Sequence, residues 1–116
     1  MAKTKIEIAD LVLKRLQVTA AGESASAEDA ALVTDRYESK HAEWLEDGLA
    51  NWDVDAVPNF AVASVTTLVA LDTMGDFETP QAAQSLIAGL AAAAMSTLYR
   101  FQSKPNSEAP LQADYY

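Results

Sequence analysis

Apolar residues return at helical intervals in four stretches of the chain and alternate with polar ones in a single short segment. Ile8, Leu11, Val12 and Leu16 repeat at steps of one to four residues, which predicts a first helix from about Thr4 to Gln17. Lys14 and Arg15 fall in its last turn, where positive charge complements the helix dipole. The run from Thr19 to Ala25 has no period and carries Gly22, so it reads as a connecting loop. Ser26 then reads as the N-cap of a second helix. Its hydroxyl can accept a hydrogen bond from the backbone of residue 28 or 29, while Glu28 and Asp29 sit at the positive end of the dipole. Val33, Tyr37, His41, Trp44 and Leu45 line one face of this helix as far as Asp47, before Gly48.

The alternation lies between Leu49 and Val57 and predicts a short extended segment or ordered loop. Pro58 holds Val57 extended and can open a third helix, with Phe60, Ala63, Thr67, Val69 and Leu71, ending near Gly75. The run Val65-Thr66-Thr67 has low helix propensity, so tertiary contacts must hold it. Thr79-Pro80 reads as a cap followed by proline in the first helical position. Ala83, Leu86, Ile87, Leu90, Ala94, Leu98 and Phe101 then predict a fourth helix of about 20 residues, with Leu86 and Leu90 in its buried stripe. Beyond Phe101, Pro105, Asn106 and Pro110 interrupt a stretch without period. The expected fold is all-α: a small bundle of about four helices over residues 1–101, and an extended C-terminal tail over 102–116 that orders on a partner.

Eight Lys and Arg against seventeen Asp and Glu give a net charge of −9 in 116 residues, a length that suits one domain. The chain has no cysteine and one histidine, which removes disulfides, thiolate metal sites and cysteine nucleophiles. Nucleic acid is an unfavourable ligand, because phosphate binding depends on Lys and Arg releasing counterions. The N-terminus lacks the apolar core of a signal peptide, and the alanine-rich stretch from Ala82 to Tyr99 reads as a packed helix, not a membrane span. Residues 41 to 99 contain no Lys or Arg, yet they hold Asp53, Asp55, Asp72, Asp76 and Glu78 among eight carboxylates. Such a surface is either an ordinary solvated face or one that meets another polyanion without adhering to it.

Candidate chemistry is sparse. Glu38 and His41 have the Glu-x-x-His spacing of di-iron bundles, which require a second copy that a single histidine cannot supply. Asp53 and Asp55 could serve acid/base or Ca²⁺ roles, but neighbouring loop aspartates are mostly solvated. There is no nucleophile elbow, phosphate loop or dinucleotide fingerprint, so neither an enzyme nor a bound cofactor or metal is expected. For partner binding the candidates are Trp52, whose plainer role is to close the end of the bundle, and Leu111, Tyr115 and Tyr116 in the tail.

Four pieces in order carry a family resemblance. They are Ala20-Ala21-Gly22-Glu23 leading through Ser26-Ala27-Glu28-Asp29-Ala30, Glu43-Trp44-Leu45 before Gly48, Val57-Pro58, and the terminal Ala113-Asp114-Tyr115-Tyr116. In this arrangement the chain resembles the head-to-tail connector proteins of tailed bacteriophages, also called adaptors or head-completion proteins, and their relatives in gene transfer agents. The resemblance implies a non-enzymatic virion protein, made in the host cytoplasm, that forms a ring, commonly of twelve copies, beneath the portal. Its implied partners are the portal protein, a tail or stopper protein and other copies of itself, with DNA passing through the ring unbound. In such a ring Asp53, Asp55, Asp72, Asp76 and Glu78 become candidates for the channel wall, since carboxylates repel phosphate over a Debye length of ~10 Å. The alternative reading is a small acidic interaction module, an anti-repressor or DNA mimic that occupies a basic protein.

Overall fold

Thr4 opens the first helix by bonding in both directions. Its hydroxyl accepts from the Glu7 amide at 3.2 Å, and the Glu7 carboxylate accepts from the Thr4 amide at 2.9 Å, a reciprocal cap that starts α1 (Lys5–Arg15). In this computed structural model, which describes residues 2–19, 22–23 and 25–102, three further helices follow: α2 (Ala27–Glu46), α3 (Asn59–Thr73) and α4 (Gln81–Gln102). Ser26 caps α2 as its chemistry requires, accepting from the Asp29 amide at 3.2 Å. A 3₁₀ turn, Met74–Asp76, runs on from α3. Among the described residues the fold is all-α, and the only extended pairing is an isolated bridge in which Lys3 and Val57 exchange backbone hydrogen bonds of 2.9 and 2.8 Å.

α3 is the hub. It packs against α1, α2 and α4, and every residue from Ser64 to Ala70 is buried. Contact on several sides is what holds the β-branched run Val65-Thr66-Thr67 in a helix that its propensity alone would not favour. α1 and α2 pack on each other and on α3, while α4 rests on α3 and scarcely touches α1 or α2. The core is formed by Ile8, Val12, Leu13 and Leu16 of α1, Val33, Tyr37 and Trp44 of α2, and Val65 and Val69 of α3. Within this core the Thr66 hydroxyl has no hydrogen-bond partner among the described residues.

Two expectations about packed faces require correction. Leu86 and Leu90 are not central to the core: they are 60% and 41% exposed, and α4 meets α3 through Ala83, Ile87, Ala94 and Leu98. Almost every position of α4 is apolar or small, so its period could not select one face, and the stripe of 83, 87, 94 and 98 prevails because it lets the two backbones approach. Leu45 likewise points outward, one position past the buried Trp44. The turn before α4 also differs from expectation. Thr79 donates its hydroxyl back to the Met74 carbonyl at 3.2 Å, and the Pro80 carbonyl accepts the helical bond of Gln84 at 3.0 Å. By length and composition α4 is also long and apolar enough to cross a membrane. The tail from residue 103, with Leu111, Tyr115 and Tyr116, lies outside the described residues.

Candidate functional site: an aromatic ladder at the root of the tail

Gly48 ends α2 in the left-handed region, at φ 75°, and turns the chain back so that the amides of Leu49 and Ala50 both bond to the Trp44 carbonyl, at 2.7 and 3.1 Å. The strap from residue 49 to 58 then crosses the end of the bundle. Tyr37 and His41, one turn apart on α2, hold it. His41 Nε2 bonds to the Trp52 carbonyl at 2.8 Å, and since a carbonyl only accepts, this nitrogen carries the hydrogen. Tyr37 Oη donates to the Val54 carbonyl at 2.9 Å and accepts from Trp52 Nε1 at 3.3 Å. Burial raises the Tyr37 pKa above its ordinary value, with the Trp52 hydrogen bond acting the other way.

Trp52 takes the second of its two expected places, packed into the protein. It is 9% exposed, its indole N–H is satisfied inside the protein, and it closes the end of the bundle. The aromatic side chains that reach the surface are the next ones along. Trp52 meets Phe60 edge-on at 6.3 Å, and Phe60, 37% exposed in the first turn of α3, lies 4.4 Å from Phe101 between ring centres. Arg100 is 5.0 Å from the centre of the Phe101 ring. Tyr37, His41, Trp52, Phe60 and Phe101 thus form a ladder from the core to the last turn of α4, where the tail begins. The role of Phe60 was not legible beforehand, because an apolar residue in the first turn of a helix carries no sign of whether it faces the core or its edge.

The acidic candidates fall into two groups at opposite ends of α3. Asp55 accepts from the Lys5 amide at 2.9 Å, adding a second acceptor at the start of α1, and Asp53 accepts from the Asp55 amide at 3.1 Å. Lys5 also reaches Glu38 at 2.8 Å, and that hydrogen bond raises its pKa. At the other end Arg36 spans Asp72, at 3.4 Å, and Asp76, at 2.8 Å, with exposed Glu78 two residues further on. A fifteen-residue helix separates the groups by about 20 Å at 1.5 Å per residue. The structure does not gather the five carboxylates into one patch, and it gives four of them a basic or backbone partner.

Glu38 and His41 do not converge as metal ligands: one is bound to Lys5 and the other to the strap. No group of three or more potential metal ligands occurs among the described residues. Comparison of the chain with protein-family models, with curated proteins and with solved structures finds no match.

Proposed function

We propose that this chain is a head-to-tail connector subunit, which assembles in a ring beneath a portal and joins a DNA-filled capsid to its tail. The observation that carries this reading is the root of the tail. The fourth helix ends on a surface-reaching aromatic pair, Phe60 and Phe101, and the segment that leaves it ends in Leu111, Tyr115 and Tyr116, large side chains suited to separate pockets on another protein.

The distribution of charge supports the same reading. In a ring, Asp53 and Asp55 at one end of α3 and Asp72, Asp76 and Glu78 at the other would repeat as two levels of carboxylate about 20 Å apart, which keep a net negative charge after Lys5 and Arg36 are counted and need not be continuous to repel phosphate. A DNA mimic has less support, because Lys5 and Arg36 sit among these carboxylates and interrupt the run of negative charge that a basic partner would need.

Deleting residues 111–116 tests the proposal. Co-sedimentation with the cognate portal ring is expected for the full chain and lost for the truncated one, with helicity by circular dichroism unchanged. Full occupancy of the truncated chain on the portal would overturn the docking role of the tail. Failure of the intact chain to bind any portal, with capture of a basic DNA-binding protein instead, would favour the mimic.

A further inference from the structure

A hydroxyl inside a helix ordinarily returns its hydrogen to a carbonyl one turn back, and Thr73 and Thr97 do so, bonding to the Val69 and Ala93 carbonyls at 2.9 and 3.0 Å. Ser64 does not. It is 6% exposed, and its hydroxyl has no hydrogen-bond partner among the described residues. One turn further along α3, Thr67 is 4% exposed and accepts from the Arg15 guanidinium, while its own hydroxyl hydrogen has no acceptor among the described residues.

Both hydroxyls and the guanidinium line one groove between α3 and α4, which holds about 300 Å³ and has Ala63, Leu90 and Ala94 among its walls. Among the described residues Arg15 is the only charged member of this lining, in a chain of net charge −9. Grooves elsewhere are acidic. The one beside Ile6 is lined by Asp35 and Glu38, and the one beside Trp44 by Glu43, Asp47 and Asp72. Lys5, Lys14, Arg36 and Lys40 each pair with a carboxylate, whereas Arg15 pairs with none among the described residues. A charge placed only to complement the dipole of α1 could stay in water, but this one crosses to α3.

We propose that Arg15, Ser64 and Thr67 form a site for a carboxylate carried on a short apolar stem. All three have hydrogens to give: the guanidinium fork spends one donor on Thr67 and keeps the rest, and each hydroxyl keeps its own. An ionised carboxylate only accepts, and its two oxygens match the spacing of a guanidinium fork. The single positive charge selects a single negative one. A phosphate monoester brings close to two, more than Arg15 offsets in a protein that is already acidic. Ala63, Leu90 and Ala94 give the stem apolar surface to cover.

The same chemistry admits two sources of the acid. Thr97, on the groove wall, lies five residues before the end of α4, about 7.5 Å of helix, and Glu108 lies six residues past that end, a reach of up to about 20 Å. Glu108, or Asp114 beyond it, is therefore close enough in sequence to supply the carboxylate from this chain, and a separate molecule is the other source. Neither depends on the connector reading.

Butyrate is the probe and butyramide, its uncharged counterpart, the control. Each is titrated at constant ionic strength into the full chain and into a Glu108→Gln/Asp114→Asn double variant, with the Arg15 Nε–Hε signal and the Ser64 and Thr67 amides followed by NMR. Butyrate is expected to shift these signals saturably, with a Kd of about 1 to 30 mM in the chain that binds it more tightly, and butyramide to leave them in place. In that chain Arg15→Gln should weaken butyrate about tenfold and Ser64→Ala about threefold, with helicity by circular dichroism unchanged. Binding at least fivefold tighter in the double variant than in the parent would assign the site to the chain's own acidic residues, and equal binding would assign it to an external acid. The site is overturned if neither chain gives a saturable butyrate shift, if butyramide shifts the signals equally, or if the Arg15→Gln chain binds butyrate with undiminished affinity.

Discussion

Trp52 Nε1 stands 3.3 Å from Tyr37 Oη, and the same hydroxyl gives its hydrogen to the Val54 carbonyl at 2.9 Å. One side chain on α2 therefore fixes both the indole and the backbone of the strap. Replacing Tyr37 by Phe keeps the ring and leaves a buried donor and an acceptor without their partner, at an expected cost of about 1 to 3 kcal/mol in urea denaturation at pH 7. The raised pKa gives this residue a pH signature as well. The folded state favours the protonated phenol, so its contribution is fully present below the ordinary tyrosine value near 10 and is lost as pH rises through the higher folded value. The Tyr37→Phe variant should lose less stability between pH 9 and pH 11 than the parent.

The packing of α4 predicts an asymmetry between neighbouring leucine and isoleucine positions. Ile87→Ala and Leu98→Ala, both fully buried against α3, should each cost about 2 to 5 kcal/mol. Leu86→Ala, at an exposed position, should stay within about half a kcal/mol. Equal losses at positions 86 and 87 in chemical denaturation would show that the helix is rotated from the arrangement described.

Thr66 offers the opposite kind of change. Its buried hydroxyl has no hydrogen-bond partner among the described residues, and valine has the same shape without the polar atom. Thr66→Val is expected to leave stability unchanged or raise it by about 1 to 2 kcal/mol, measured as a higher urea midpoint at constant slope. A clear loss would mean that the hydroxyl has an acceptor.

The helix caps give a fourth test. Ser26→Ala removes the acceptor for the Asp29 amide and should cost about 1 kcal/mol, and Thr4→Ala should cost as much or more because the reciprocal bond with Glu7 is lost too. Thermal unfolding followed by circular dichroism would measure both.

The start of α2 was legible because a cap is local: Ser26 and Asp29 lie three residues apart, whereas the start of α1 was read from its apolar period and the Thr4–Glu7 cap came only with the structure. The stop at Gly48 was legible for the same reason. The buried face of α4 was not, because a helix apolar on nearly all sides has no direction until α3 supplies one. Trp52 could not be assigned between core and surface, since its fate depends on Tyr37, fifteen positions earlier, offering an acceptor. The division of the carboxylates was equally hidden. Arg36 joins Asp72 and Asp76 across more than thirty residues, and only the folding of α2 against α3 brings them together.

The bridge between Lys3 and Val57 has a consequence for the order in which the chain assembles. The two residues are 54 positions apart, and closing a loop of that length costs about 3.5 kcal/mol of chain entropy beyond a fixed term. Two backbone hydrogen bonds return only about 1 kcal/mol each, so the bridge cannot form before α1 has docked on α3 and brought its ends together. It is then a latch set after the core and released before it. In amide hydrogen exchange the Lys3 and Val57 N–H groups should open well before those of Val65 and Val69, marking the first segment to leave the folded protein.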